Sequence, residues 1–386
     1  MTGSGETSAI DYCAVRVSDV CRGGRSHWQL QGLLRFLGRI SATEDPRDVT
    51  RAAGHMDPEI SILYCSPTPK GIPEGKVHAQ LSPLYQRRRL PPPLEERILS
   101  DFEERQRKQP WVFNGAKFRL HSVLPEGEAG TREAAEQKKE AVKIDGGRKG
   151  GEGEATLDEP GGLTLHLALT CYRDFLGTNW SGEASALQEK GGQEFGDTQA
   201  YLAQPLGVGA ALQCKDGRFV MLRRSHIVGE APGQLDVPGG HPEPKAVAPN
   251  IPEEELSLEV LQPELVIREL FSSILAEIRD EVNLPLSTLS EPLLLGIARN
   301  HTSAGRPSAE FYVKCSLTSA EVQERYLQGG PEAHESTEII FLEKEDLLTI
   351  ENSEMWKELC PSAKGCAKLY LMVREQRPET GHLDVR

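Results

Sequence analysis

The segment SSILAEIRDEVNLP, residues 272–285, decides the fold and raises the first question about function. It continues an apolar periodicity that begins near residue 263 and repeats every three to four positions, as in an amphipathic helix. Pro263 suits the first helical position because its missing N–H would be unpaired there, and Asn283 tolerates the left-handed conformation that ends helices. The sequence therefore predicts a helix over 263–282 whose apolar face is formed by Ile267, Leu270, Phe271, Ile274, Ile278 and Val282.

Three acidic side chains, Glu277, Asp280 and Glu281, lie along the edge of that apolar face. Like charges at these spacings repel by roughly 0.2–0.5 kcal/mol per pair on an exposed helix, and by more where water is excluded. One interpretation is a solvated acidic face, which is the usual explanation of a charge run. The other is a Mg²⁺ site, because carboxylate oxygens one turn apart are ligands that this ion prefers. The helix alone leaves both interpretations open.

Strand-like segments surround the helix on both sides and predict a mixed α/β class. A Lys-Asp-Gly turn joins two of them into a hairpin. Three further helices are predicted, at 183–191, 319–328 and 353–359, and a turn at 173–180. The predicted strands are at 57–67, 117–124, 163–172, 208–225, 291–300, 309–317 and 338–344.

Composition divides the chain into four parts. Residues 1–55 are predicted to be a poorly ordered leader, and residues 56–200 an N-terminal segment with strands. Within that segment, residues 125–162 contain almost no apolar side chains and predict a mobile acidic and glycine-rich loop, since such a stretch cannot offset its ordering entropy. Residues 201–375 are predicted to form the domain that carries the acidic helix, followed by a tail at 376–386.

The formal net charge of -14 argues against a nucleic-acid-binding protein, because phosphate binding needs clustered Lys and Arg. The 8 cysteines show no CxxC spacing, which favours a reduced, intracellular setting. Neither a secretory signal nor an apolar run of about 18 residues is present, so no membrane association is expected. These features predict a soluble cytoplasmic protein, with the nucleus as the other compartment, and leave its oligomeric state open.

A Gly-Gly turn in DVPGGHPEP, residues 236–244, lies upstream of the helix and lets backbone approach a ligand or the helix closely. Gly240 and residues 276–284 resemble the box of the Nudix hydrolase superfamily, G-x5-E-x7-R-E-U-x-E-E-x-G-U with U an apolar residue. Ala276 stands at the Arg position, Asp280 at the first Glu of the acidic pair and Asn283 at the Gly. Gly240 and Glu277 are 37 positions apart, against 15 in the family pattern, so the box contains an insertion of 22 residues that coincides with the loop 245–262. The segment RELFSS at 268–273 is a false second register without the acids.

Further blocks are similar to the vertebrate branch of this superfamily that cleaves UDP-sugars: 169–180, 196–212, 293–300, 308–313, 329–337 and 358–365. The resemblance implies a Nudix α/β/α sandwich with a mixed sheet, preceded by a strand-rich N-terminal segment. It implies Mg²⁺-dependent hydrolysis, with Mn²⁺ as a substitute, of UDP-glucose to UMP and glucose 1-phosphate. The substrate partner would be a small-molecule nucleotide sugar. Two alternatives stay open: a diphosphate substrate of the coenzyme A or dinucleotide type, and a catalytically inactive nucleotide-binding module.

The same resemblance implies roles for individual residues. Glu277, Asp280 and Glu281 would be metal ligands, and Glu277, Glu281 and Glu335 catalytic residues. The segment 329–337 offers Glu332, His334 and Glu335 as the general base, with a charged surface turn as the alternative for each. Glu243 is either a further ligand or a solvated loop residue.

Substrate contacts are predicted at six positions. Gly239 and Gly240 would shape the metal site. Tyr172 would stack on a base, Asn179 would bind the edge of uracil, and Arg223 or Arg299 would pair with phosphate. An ordinary packing or surface role is the alternative for each of these four side chains.

Overall fold

The computed structural model describes residues 57–126 and 162–375. These residues belong to a compact unit that begins at Asp57. The predicted leader, the tail and all but the ends of the predicted acidic and glycine-rich loop lie outside the described residues. Among the described residues, no helix has the length and apolar character that crossing a bilayer requires.

The described strands and helices follow one another along the chain with short 3-10 turns between them. The strands are β1 (Ile60–Cys65), β2 (Val77–Leu81), β3 (Ala116–Pro125), β4 (Leu163–Cys171), β5 (Gly207–Gln213), β6 (Phe219–Arg224), β7 (Leu235–Asp236), β8 (Gly239–Gly240), β9 (Leu293–Asn300), β10 (Arg306–Lys314) and β11 (Ser336–Leu342). The α-helices are α1 (Pro92–Lys108), α2 (Tyr172–Gly177), α3 (Ala184–Phe195), α4 (Pro244–Val247), α5 (Pro263–Val282), α6 (Ser319–Leu327), α7 (Lys344–Leu348) and α8 (Pro361–Glu375). The 3-10 turns are Glu74–Lys76, Pro83–Tyr85, Glu253–Glu255, Leu258–Val260, Leu286–Thr288, His301–Ser303, Ile350–Asn352 and Glu354–Lys357.

An 8-stranded mixed sheet forms the centre of the fold, in the order β1-β9-β10-β5-β6-β11, with β7 paired to β6 and β8 paired to β5. The β10–β5 pair is parallel, whereas β1–β9, β9–β10 and β6–β11 are antiparallel. A second sheet of 3 strands has the order β2-β4-β3. The predicted mixed α/β class with additional N-terminal strands is therefore confirmed.

Two helices cover opposite faces of the large sheet. Helix α8 packs on one face, where Ala363, Leu369 and Tyr370 share a core with Phe219 and Leu295. Helix α5 packs on the other face, and its apolar residues share a core with both sheets. Because α5 lies between the two sheets, every described strand layer helps to hold its position.

The predicted bounds of the acidic helix, 263–282, match α5. All six residues of its predicted apolar face are buried, each worth roughly 1.5–3 kcal/mol relative to full exposure. Asn283 ends the helix at φ 60°, the left-handed conformation expected of it. The structure thus fixes which side of α5 faces the core and leaves its acidic edge beside β8.

Other elements differ from the expectations in places. A helix, α2, occupies part of the predicted turn at 173–180, and only the 3-10 turn Glu354–Lys357 occupies the predicted helix at 353–359. Helices α1 and α8 were not predicted. Helix α8 is apolar on much of its surface, so its periodicity is weaker than that of a half-exposed helix.

Candidate active site

The Gly-Gly segment β8 lies directly against the acidic edge of α5. The backbone N–H of Gly239 donates to Glu281 Oε2 at 3.0 Å, and the N–H of His241 donates to Glu277 Oε1 at 3.3 Å. Two carboxylates from one helix are therefore held by backbone donors of one turn. Such donors fix carboxylate positions without adding side-chain flexibility.

Glycine is required at both positions of β8 for this approach. A Cβ atom on Gly240 would lie 2.0 Å from Glu277 Oε1, and one on Gly239 would lie 2.3 Å from the carbonyl oxygen of Val208 on β5. The Gly240 distance confirms the predicted close approach of backbone to the helix, whereas Gly239 lies against the neighbouring strand β5. Their role in shaping a metal site remains a prediction.

Burial changes the acidity of both helix carboxylates. Glu281 is only 8% exposed, and burial raises its pKa well above the ordinary value, with Glu277, Asp236 and Glu335 adding repulsion. Burial, followed by the charges of Glu332 and Glu335, raises the pKa of Glu277 to about 7. Negative charge on this edge of α5 is therefore costly unless a cation offsets it.

The segment 329–337 packs on the last turn of α5 and brings more acids to it. The N–H of Glu332 donates to the carbonyl of Asp280 at 3.2 Å, and the N–H of Glu335 donates to the carbonyl of Glu332 at 2.9 Å. Gly330 permits this contact, because a Cβ there would lie 2.6 Å from the Asp280 carbonyl oxygen. Glu335, the predicted catalytic carboxylate outside the helix, thus lies close enough for its charge to act on both Glu277 and Glu281.

Asp280, the third predicted metal ligand, has a different environment. Both of its carboxylate oxygens accept hydrogen bonds from the neighbouring Arg279, at 2.7 Å and 2.5 Å. Glu243, which the sequence leaves as either a further ligand or a loop residue, is exposed, and its Oε1 lies 3.2 Å from Lys117 Nζ. A metal-binding role for either residue would require it to give up a cation that it already contacts.

The donor chemistry of the cluster fits a divalent cation of the Mg²⁺ type. Glu277, Glu281, Glu332 and Glu335 carry carboxylate oxygens, the ligand type that Mg²⁺ prefers, and their mutual repulsion is the electrostatic condition that a cation would relieve. Within residues 57–126 and 162–375, no group of three or more His, Cys, Asp or Glu side chains is positioned so that it could hold a metal ion as it stands. The carboxylates therefore suit the ion in type and charge, and their side chains would have to converge to bind it.

A polar cavity of about 150 Å³ adjoins this cluster. Gly239, Gly240 and Glu335 form the boundary between the two. The remaining polar lining comes from strand ends and the loop after β6, namely Arg224, Glu230, Asp236, His241, Asn300, Arg306, Ser308 and Ser362. A cavity that carries few apolar groups and several convergent polar ones suits a hydrophilic ligand.

The two arginines predicted to contact phosphate lie outside this lining. Arg223 pairs with Glu338 at 3.1 Å and with Glu358 at 3.2 Å. Arg299 precedes the lining residue Asn300 on β9, just as Arg223 precedes the lining residue Arg224 on β6. Successive side chains of a strand point to opposite faces, so in both strands the next residue reaches the cavity instead.

Tyr172 and Asn179, predicted to contact the base, also lie outside the cavity lining. Tyr172 packs among aromatic rings, with centroids 6.4 Å from those of both Phe102 and Phe175. Asn179 is buried, donates from Nδ2 to the carbonyl of Ser303 at 3.1 Å and accepts from the N–H of Gln204 at 3.1 Å. Both placements match the packing alternative, and a substrate role for either stays a prediction.

Most of the polar residues of the cavity have no distinguishing signal in the sequence. Glu230, His241 and Arg306 occupy loops or strand ends, where the chain gives no periodic signal. Strand alternation places Arg223 and Arg224 on opposite faces, and likewise Arg299 and Asn300, but the sequence does not say which face lines the cavity. Alternation also does not identify Glu230, which reaches the cavity only because the loop after β6 folds back over it.

Comparisons with known proteins identify relatives of the chain. No family model matches the chain. The chain is 52% identical over 321 residues, 83% of its length, to uridine diphosphate glucose pyrophosphatase from Bos taurus, of which it covers 99%. It is 51% identical to the protein of the same name from Homo sapiens, covering 83% of this chain and 94% of that protein. It is also 33% identical to Nudix hydrolase 9 from Arabidopsis thaliana, covering 75% of this chain and 86% of that protein.

Solved structures give weaker matches. The MutT protein from Methanosarcina mazei Go1 shares 16% identity, with 44% of this chain and 91% of that chain covered and a TM-score of 0.26. A Nudix hydrolase from M. smegmatis shares 11% identity, with 45% and 86% covered and a TM-score of 0.25. Scores at this level add nothing to the sequence relationship. The identity to the curated relatives is decisive by itself, and the chain belongs to the Nudix hydrolase family, in the group of the uridine diphosphate glucose pyrophosphatases.

Proposed function

We propose that this protein hydrolyses the diphosphate of UDP-sugars, converting UDP-glucose and water to UMP and glucose 1-phosphate. The observation that carries the proposal is the pair of carboxylates, Glu277 and Glu281, held by the backbone of the Gly-Gly turn beside a polar cavity. The relatives that share about half of the sequence are named for a pyrophosphatase of uridine diphosphate glucose. Both the site and the relatives therefore support one reaction class.

The proposed cofactor is Mg²⁺, with Mn²⁺ as a substitute, held by Glu277 and Glu281. When bound, such an ion supplies charge neutralisation of the diphosphate and polarises its phosphoryl oxygens. Asp280 is a proposed additional ligand that would first have to leave Arg279. The backbone donors at Gly239 and His241 each hold one oxygen of a glutamate, Glu281 Oε2 and Glu277 Oε1, so that the second oxygen of each would be the one to bind the ion.

Glu335 is the proposed general base. It lines the cavity, and its charge reaches both helix glutamates. A carboxylate at this place accepts the proton of the attacking water, provided that one oxygen lies within hydrogen-bond reach of that water. Glu332, whose carbonyl accepts from the Glu335 N–H, adds to the increase that burial causes in the pKa of Glu277.

Two other functions compete with this proposal. A diphosphate of the coenzyme A or dinucleotide type would use the same carboxylates, because they act on the phosphates and not on the leaving groups. An inactive nucleotide-binding module would keep the fold without turnover, as the Ala276 substitution in the box allows. The proposed setting is a reduced cytoplasmic or nuclear one, which fits the six described cysteines, all free thiols.

The proposal is tested by incubating the protein with UDP-glucose and Mg²⁺ and measuring UMP and glucose 1-phosphate by chromatography. Glu281→Gln is expected to lower kcat roughly 100-fold or more, since even residues that only orient metal ligands are worth about 10–100-fold. Glu259→Gln, on an exposed 3-10 turn, is the matched control and should keep full activity. Faster turnover of coenzyme A or dinucleotides would favour the second substrate class. Tight binding of UDP-glucose without UMP release at any divalent metal would identify an inactive module.

A further inference from the structure

The polar cavity contains a hydrogen-bonded network that the proposed acid and metal roles do not use. Arg306 Nη2 donates to both carboxylate oxygens of Glu230, at 3.0 Å and 2.9 Å. Asn300 Nδ2 donates to Glu230 Oε1 at 3.1 Å. Arg306 Nη1 lies 3.1 Å from His241 Nε2. We name Glu230, Asn300, Arg306 and His241 the cavity network.

The cavity network is built into the fold and is not a chance surface contact. Arg306 is only 7% exposed and Asn300 only 5% exposed. An arginine N–H can only donate, so His241 Nε2 accepts from Arg306 Nη1. Maintaining a buried arginine in this way requires specific partners, which fixes the orientation of the whole network.

The loop after β6 holds Glu230 over the cavity. Arg224 Nε donates to the carbonyl of Glu230 at 2.9 Å. The next residue, Ala231, has φ 47°, a left-handed conformation that side chains other than glycine rarely adopt. The loop thus accepts local strain while it presents the Glu230 carboxylate to Arg306 and Asn300, a pattern typical of functional sites.

The charges of the lining decide what kind of ligand fits. Arg224 is paired with Asp236 at 2.9 Å, and Arg306 is paired with Glu230 at 2.9 Å. Both arginines of the lining are thus neutralised, and Glu335 adds a further acid at the boundary. A phosphate placed here would meet a net negative surface. The structure provides no unpaired cation in this lining to receive it.

The hydrogen-bonding capacity that remains suits hydroxyl groups. Arg306 Nη1 and Asn300 Nδ2 each have one N–H beyond the bonds described, and the Glu230 oxygens have free lone pairs. A hydroxyl donates and accepts at once, so it can bond to a carboxylate and to an N–H of the same network. Neighbouring hydroxyls of a sugar ring would use both kinds of partner without adding charge to the cavity.

We propose that the cavity network is the subsite for the sugar of the nucleotide sugar, and that Glu230 recognises its hydroxyls. This inference rests on the proposed function, because it assumes that the diphosphate lies at the Glu277 and Glu281 cluster next door. The cavity, about 150 Å³, is smaller than the roughly 300–1,000 Å³ of pockets that enclose whole drug-sized ligands, so it fits one sugar ring better than a whole nucleotide.

The test compares two ligands, one with the glucosyl group and one without it. The first is the analogue of UDP-glucose whose phosphate bridge is P–CH2–P, which cannot be hydrolysed at that bond. The second is the matching analogue of UDP, which keeps the ribose but has no glucose. Both are titrated by calorimetry with Mg²⁺ into the wild-type protein, Glu230→Gln and the control Glu338→Gln, an exposed carboxylate that pairs with Arg223.

Glu230→Gln is expected to weaken binding of the sugar analogue about tenfold while the UDP analogue binds as before, since a neutral amide is a poorer acceptor for hydroxyls. Glu338→Gln should change neither affinity. Tighter binding of both analogues by Glu230→Gln would overturn the proposal, because Glu230 would then be blocking an anion site. Equal weakening of both, or no change in either, would overturn it as well.

Two further readouts keep the test decisive. Thermal unfolding of each variant shows whether it is folded, and Glu230→Asp, which keeps the charge but shortens its reach, should give an intermediate loss for the sugar analogue only. Failure of the proposed function is recognised separately, as absence of UMP release from UDP-glucose by the wild-type protein. The binding comparison does not depend on turnover, so the sugar subsite is judged in either case.

Discussion

Replacing Glu277 by glutamine should stabilise the metal-free protein at alkaline pH and leave it nearly unchanged at pH 5. The substitution keeps the side-chain oxygen that accepts from the His241 N–H but removes the charge. Glu277 has its pKa raised from 4.5 to about 7, mainly by burial and then by Glu332 and Glu335. The carboxylate is therefore easier to ionise in the unfolded chain than in the folded protein.

The direction in which pH changes the free energy of unfolding follows from proton binding. Between pH 4.5 and 7 the folded state retains a proton that the unfolded state has lost, so the stabilising contribution is complete below pH 4.5 and is lost as pH rises through about 7. At about 1.4 kcal/mol per pKa unit, the ceiling of this loss is roughly 3 kcal/mol. Because the side chain is partly exposed, we expect Glu277→Gln to gain about 1–3 kcal/mol at pH 8 relative to its effect at pH 5.

Urea unfolding in the presence of a chelator, at pH 5 and at pH 8, measures this difference. Glu264→Gln, an exposed acid in the first turn of the same helix, is the control and should show no such dependence. Adding Mg²⁺ at pH 8 should stabilise the wild-type protein and stabilise Glu277→Gln much less, since one ligand charge is gone. An equal effect of the substitution at both pH values, or a loss of stability at pH 8, would refute the account of the acidic cluster.

Three further outcomes follow from the same structure. Gly240→Ala should lower kcat for UDP-glucose by roughly 10–100-fold with little change in urea midpoint, because its Cβ, 2.0 Å from Glu277 Oε1, would displace the end of a flexible side chain. Gly75→Ala, which meets no atom within 4 Å, should leave kcat unchanged. Asn283→Ala should cost about 1 kcal/mol in urea unfolding and Asn283→Gly little, because the residue has φ 60°. Glu310→Gln should stabilise the protein above pH 7 and not below pH 4.5, since burial raises the pKa of Glu310 to about 7. Mg²⁺ should stabilise Glu310→Gln as much as the wild-type protein, whereas it should stabilise Glu277→Gln less. Urea midpoints measured at increasing Mg²⁺ concentration would check this.

The acidic helix shows how far local sequence reaches. Its bounds, its apolar face and its left-handed cap at Asn283 all follow from periodicity and from the conformations that proline and asparagine allow. The mixed α/β class follows from strand-like segments on both sides of it. The glycine at position 240 also followed, because a Cβ atom there would lie only 2.0 Å from Glu277 Oε1.

The sequence by itself thus determined the carboxylate helix, the glycine turn and the class of the fold, since each depends on neighbours in the chain. Tertiary structure alone decided that Glu332 and Glu335 pack on the last turn of α5 and that Glu230 meets Arg306 across 76 positions. It also decided that Arg224 and Asn300, and not Arg223 and Arg299, line the cavity. The physical reason is that strand side chains alternate between faces, so which neighbour lines a site depends on sheet register and packing between distant segments.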